Sequence, residues 1–169
     1  MTPSSWRGVK LGFALFLAAL LQSVYSDSLT FGGAHPDFLL ATAIVGAMFC
    51  TPNGGATLGF FAGLLHACLA APPHGGFGSL IVTRTLAGFG VGWLEDRIFR
   101  DNALIALALV ALGTTLAEGL FFIFAPLRNV AHWARGMGLT VLYNTLLAIP
   151  LYLLIRRLLG PHRDDKPKI

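Results

Sequence analysis

Charge is scarce in this sequence. Only 12% of its 169 residues are Asp, Glu, Lys or Arg, against about 25% in a typical soluble domain. That scarcity excludes an ordinary soluble domain, a coiled coil and a disordered segment, each of which needs a solvated polar surface. Acids are rarer than bases, eight against twelve. The bases form no groove-sized patch with interleaved aromatics, so no nucleic-acid partner is expected. Cysteine is nearly absent: Cys50 and Cys68 stand alone. The topology derived below puts them at opposite ends of adjacent helices, too far apart to bridge, and they read as small packing residues. The five histidines, His35, His66, His74, His132 and His162, show no metal-ligand spacing. There is no nucleophile elbow and no phosphate loop. No catalytic set, metal site or cofactor site is therefore expected.

What is abundant is apolar surface and glycine. The chain is 55% hydrophobic and holds 20 glycines, and glycine is commoner in transmembrane helices than in soluble ones. At about 20 residues per crossing there is room for five or six spans. Arg7 and Lys10 before the run Leu11 to Leu21, with Val24-Tyr25-Ser26 after it, have the anatomy of a signal peptide. The hydrophobic runs that follow favour an uncleaved first helix. Six segments separate at Gly, Pro and charge: Val9 to Tyr25, Pro36 to Cys50, Gly55 to Ala71, Gly78 to Asp96, Asn102 to Ala125 and Gly136 to Leu159. Pro36 suits a first helical turn, and Asp37 suits the positive end of the helix dipole. Thr51-Pro52-Asn53-Gly54, Pro72 to Gly76 and Pro126 to Arg135 read as loops. The second segment, about 15 residues, is short for a crossing of about 20, so it is either a span or a re-entrant segment. The expected fold is all-α: one six-transmembrane-helix bundle over residues 1–160 with a polar tail over 161–169.

Charge sets the orientation. With the N-terminus inside, nine of the twelve Lys and Arg fall on the cytoplasmic side, among them Arg7, Lys10, Arg97, Arg100, Arg156 and Arg157. Arg128 and Arg135 fall outside, and Arg84 lies within a span. This bias predicts both termini in the cytoplasm and an even number of crossings. The basic C-terminal stretch is a topology anchor that can also touch anionic membrane lipids.

Two patterns inside the spans carry information. Gly55, Gly59 and Gly63 recur every fourth residue on the third helix, and Gly88 and Gly92 do so on the fourth. Small residues let helix backbones approach closely in a membrane. On the third helix internal packing is expected; on the fourth, internal packing and a partner's helix both remain open. Polar residues form the second pattern. Gln22 lies near the outer end of the first helix. His66, Arg84, Glu118 and Asn144 come from four different helices, all about 8 to 12 Å below the outer surface at 1.5 Å per residue. A charge facing lipid there is costly, so Arg84 and Glu118 are expected to face inward and meet. The set reads as a structural clasp or as a pocket open to the outside.

The order of motifs resembles the rod shape-determining protein MreD, a bacterial inner-membrane family. The resemblance covers most of the chain. It rests on His35-Pro36-Asp37-Phe38-Leu39-Leu40, Gly54-Gly55-Ala56, Gly59-Phe60-Phe61-Ala62-Gly63-Leu64-Leu65 and Thr85-Leu86-Ala87-Gly88-Phe89 followed by Gly92. It continues through Arg97-Ile98-Phe99-Arg100-Asp101 and Tyr143-Asn144-Thr145-Leu146-Leu147-Ala148. Family members commonly carry an aspartate after the Gly-Leu-Leu of the third helix; His66-Ala67 stand there instead. The resemblance implies a non-enzymatic subunit of the cell-elongation machinery that guides peptidoglycan synthesis. Its implied partners are MreC, then RodA and its penicillin-binding transpeptidase, with MreB reached indirectly. The family is also similar to the substrate-binding subunits of energy-coupling-factor transporters, which implies a solute-binding transport subunit as the alternative.

Overall fold

The computed structural model describes residues 3–25, 27–30, 34–70, 76–95, 97, 103–125 and 129–160. The tail 161–169, the Pro72 to Gly75 part of the glycine loop, and Asp96 with 98–102 between the fourth and fifth helices lie outside the described residues. Six α-helices follow in order: α1 (Pro3–Tyr25), α2 (Phe38–Ala47), α3 (Pro52–Ala70), α4 (Gly76–Glu95), α5 (Ala103–Phe124) and α6 (Val130–Leu159). A single 3-10 turn, Asp27–Leu29, follows α1, and there is no strand among the described residues. Helices α1, α4, α5 and α6 are long and apolar enough to cross a membrane. Large apolar side chains stand exposed along them, including Phe13, Phe16, Phe89, Leu112, Ile123 and Leu154. A surface of that kind belongs in lipid, so the protein is membrane-embedded.

The ends of the bundle are named by their turns. The lower end is where α2 hands over to α3; the upper end is where α3 gives way to α4. At the lower end Lys10 donates to the Leu158 carbonyl at 2.7 Å and Arg7 to that of Leu159 at 3.5 Å. Two cations from α1 thus meet the negative end of α6. Gly160, at φ +78°, closes that helix with a hydrogen bond to the Arg156 carbonyl. At the upper end Phe122 of α5 stacks on Trp133 of α6, ring centroids 4.3 Å apart.

Helix α1 begins at Pro3, six residues ahead of the expected Val9, and three further boundaries differ from the sequence expectation, each for a local reason. Asp37 is the N-cap of α2, its carboxylate accepting from the Leu40 amide at 2.8 Å. Pro36 therefore lies outside the helix, and α2 has only 10 residues, about 15 Å of rise. Alone it does not cross a bilayer. Pro52 is the first residue of α3 rather than part of a turn; the Thr51 carbonyl accepts from Gly55 at 2.9 Å, and proline suits that position because its missing donor has no helical partner there anyway. Helix α6 begins at Val130, so Arg135 lies inside a helix, not in a loop. The Trp133 amide bonds the Asn129 carbonyl at 3.0 Å and starts it.

Helix α2 is the axis of the bundle. All ten of its residues are buried, and it touches each of the other five helices. Its sequence, Phe38 to Ala47, is apolar on every side, as a fully enclosed helix must be. The closest pairing is α3 against α4. A Cβ at Gly55 would collide with the Gly88 carbonyl, one at Gly88 with the Gly55 carbonyl, and one at Gly59 with the Arg84 carbonyl. One at Gly63 would lie 2.7 Å from the Ile81 Cα, and one at Gly92 3.1 Å from the Pro52 Cα. Both glycine stripes are thus used inside the chain, against each other. This is how helices associate where apolar burial no longer drives them. Cys50 and Cys68 are both free thiols.

Candidate functional site

A helix that begins at depth inside a membrane bundle leaves backbone donors with no water to satisfy them. Side chains from two other helices and from Asp37 itself meet that need at the head of α2. Gln22 of α1 accepts from the Phe38 amide at 2.8 Å and donates to the Pro36 carbonyl at 3.4 Å. Asn144 of α6 accepts from the Asp37 amide at 3.0 Å, and its own amide group donates to the Thr114 hydroxyl of α5 at 3.3 Å. The Asp37 carboxylate caps Leu40. Each of these donors and acceptors lies in the buried interior.

Asp37 carries a charge into this interior, and Arg84 of α4 neutralises it. The Arg84 guanidinium is hydrogen-bonded and ion-paired to Asp37 Oδ2. Arg84 is 2% exposed and Asp37 3%, so neither charge is relieved by solvent. The positive end of the α2 dipole adds to the stabilisation of the carboxylate. His66 of α3 completes the group: its Nδ1 lies 2.9 Å from Arg84 Nη2 and 3.2 Å from Asp37 Oδ2. A guanidinium has donors only. Nδ1 thus faces a donor and an acceptor at once, and the ring's tautomer decides which of the two contacts is the hydrogen bond.

The structure thus brings together His66, Arg84 and Asn144, as the sequence leads one to expect, but around a different centre. Arg84 pairs with Asp37, not with Glu118. Glu118 lies one turn beyond Thr114 on α5, is half-buried, and makes no hydrogen bond or ion pair among the described residues. It remains within electrostatic reach of Arg84, Asp37 and His66. The expected Arg84–Glu118 pair failed because heights along helices fix depth but not rotation. Asp37 was read as a helix-dipole residue and was missed as a buried partner. The signal for it was available: an acid directly ahead of ten residues that are apolar on all sides has no route to water once that helix is enclosed.

The chain matches no protein-family model, no curated protein and no solved structure. What the site can do is therefore read from its geometry alone. It is a closed polar knot, with every group but two engaged by a neighbour. The exceptions are Glu118 and Arg84 Nε, which is buried without a hydrogen-bond partner. Among the described residues no three His, Cys, Asp or Glu side chains converge to hold a metal ion.

Proposed function

We propose that the chain is a non-enzymatic, six-crossing subunit of the bacterial inner membrane that acts by position, as MreD-type proteins of the cell-elongation machinery do. In this reading both termini are cytoplasmic, and the segment before α2 together with α2 makes one interrupted crossing. The bundle holds MreC and through it orients RodA and its penicillin-binding transpeptidase, with MreB on the inner side. One observation supports the reading most: the buried polar groups are spent on holding α2 in place, which suits a rigid platform better than a reaction centre. The motifs that carry the resemblance also build this interior, since Asp37, Asn144 and the glycines of α3 and α4 all belong to them.

A second reading, a solute-binding subunit of an energy-coupling-factor-type transporter, draws on the unpaired Glu118 and the unused Arg84 Nε. The test is purification from the native membrane in mild detergent. Co-purification with MreC and RodA supports the platform. Co-purification with a coupling membrane subunit and paired ATPases replaces it with the transporter.

A further inference from the structure

We propose that the lower end of the bundle holds an anionic phospholipid, its phosphate seated on cations that the first and last helices bring together. Arg7 and Lys10 stand one turn apart on α1, and Arg156 and Arg157 are neighbours in the last turn of α6. The fold joins the two pairs through the hydrogen bonds of Lys10 to the Leu158 carbonyl at 2.7 Å and of Arg7 to the Leu159 carbonyl at 3.5 Å. Those bonds position the α1 cations without neutralising them. A carbonyl carries no net charge, and the whole dipole end of α6 offsets about half of one. Neither α1 nor α6 contains an Asp or Glu. Among the described residues the one acid at the lower end is Glu95 of α4, and α4 packs on neither α1 nor α6. The α1–α6 junction is therefore a site of concentrated positive charge, assembled by tertiary structure from both ends of the chain.

What lies above the cations favours a lipid over a free anion. Trp6, Lys10, Phe13 and Leu17 recur at spacings of four, three and four, so Lys10 belongs to one stripe of α1 whose apolar members are all exposed. On α6 the exposed Leu153 and Leu154 lie one turn above Arg157, which is itself exposed. Each helix thus presents a cation at the lower end and bare apolar surface directly above it. That order of surfaces matches a phospholipid read from headgroup to acyl chain, whereas a soluble phosphate has no use for the apolar part. Trp6, at the foot of its stripe, suits the boundary between headgroups and chains. A phosphate bound by both helices would tie the start of the bundle to its end, adding to the two hydrogen bonds already there.

Native mass spectrometry of the full chain, released from micelles holding equal amounts of phosphatidylglycerol and phosphatidylcholine, tests this. The expected result is retention of phosphatidylglycerol in preference to phosphatidylcholine. Lys10→Gln and Arg157→Gln should each weaken that retention about fivefold, the usual effect of one basic residue at an anionic membrane. Arg97→Gln removes an equal charge from the same end, but beside Trp93 of α4, and should leave retention nearly unchanged. Equal retention of the two lipids overturns the proposal. So does equal weakening by Arg97→Gln, which would mean a diffuse surface potential and no site. Glycerol phosphate, a headgroup without chains, should not displace the lipid at equal concentration; displacement would assign the cations to a soluble phosphate and overturn the lipid. Should a Gln variant fail to accumulate, the wild-type thermal midpoint decides: it must be higher in phosphatidylglycerol nanodiscs than in phosphatidylcholine ones, and equal midpoints overturn the proposal.

Discussion

The carboxylate of Asp37 and the guanidinium of Arg84, 47 positions apart in the chain, form a buried ion pair in the interior of the bundle. Removing one leaves the other buried and unpaired, which costs about 3–5 kcal/mol in comparable sites, whereas removing both together is far milder. We expect Asp37→Asn and Arg84→Met each to lower the amount of folded protein recovered from the membrane. The double variant should regain part of the loss. Glu118→Leu combined with Arg84→Met should not rescue in the same way, and comparing thermal midpoints of the five proteins checks the assignment of the partner.

His66 Nδ1 lies 2.9 Å from Arg84 Nη2 and 3.2 Å from Asp37 Oδ2, and the shorter contact predicts that it accepts from Arg84. His66→Leu removes that acceptor and should destabilise the bundle by about 1.5–3 kcal/mol, the usual worth of a hydrogen bond to a charged group. His66→Gln can accept through its side-chain carbonyl and should keep most of the stability. Equal loss in both variants would mean that the ring donates to Asp37 instead.

Gln22 covers two backbone groups at the entrance to α2. Gln22→Leu leaves them buried without partners, at about 1–3 kcal/mol. The change should show first as faster hydrogen exchange at the Phe38 amide, with the amides of α4 unaffected.

The glycines divide into two groups by what surrounds them. Gly59→Leu would drive a side chain into the Arg84 carbonyl, whereas Gly136 has open space around it. Overpacking of a tight contact costs about 1–3 kcal/mol or more. We expect Gly59→Leu to deplete the protein from the membrane and Gly136→Leu to leave its abundance unchanged, as immunoblotting of membrane fractions would reveal.

Topology has its own test. With both termini inside, single cysteines introduced between Pro73 and Gly76, or between Asn129 and His132, in a chain lacking Cys50 and Cys68, should react with an impermeant maleimide added from outside. Reaction only after the membrane is opened would reverse the orientation.

Much of this architecture is legible in the residue order. Glycine, proline and charge mark the ends of α3, α4 and α5 to within a few residues because those same residues rarely continue an apolar helix, whereas α1 runs on through Arg7 and Lys10 to Pro3. The stripes Gly55-Gly59-Gly63 and Gly88-Gly92 reveal a face, although only the folded chain shows that the two faces meet. Asn144 and His66 are conspicuous as polar residues in apolar runs. Asp37 is not, because it stands at the edge of its run, where an acid is ordinary. Its depth depends on α2 starting below the upper surface, and that follows from tertiary contacts with Gln22 and Asn144 that no local pattern encodes. Trp133 stacks on Phe122 of α5, another long-range contact.

The enclosure of α2 has a consequence for the order in which the protein is made. A helix of 10 residues rises about 15 Å, half the hydrocarbon thickness, and it offers lipid no face of its own once folded. As the chain is synthesised, α2 emerges before Arg84, Thr114 and Asn144 exist to receive its head. It cannot settle as an independent insertion step. It has to wait at the membrane surface or in the insertion machinery until α4 brings the counter-charge and α6 brings the acceptor for the Asp37 amide. The last long helix to be synthesised thus completes the burial of the second, and a chain interrupted before Asn144 would keep an acid and an open helix end in search of water.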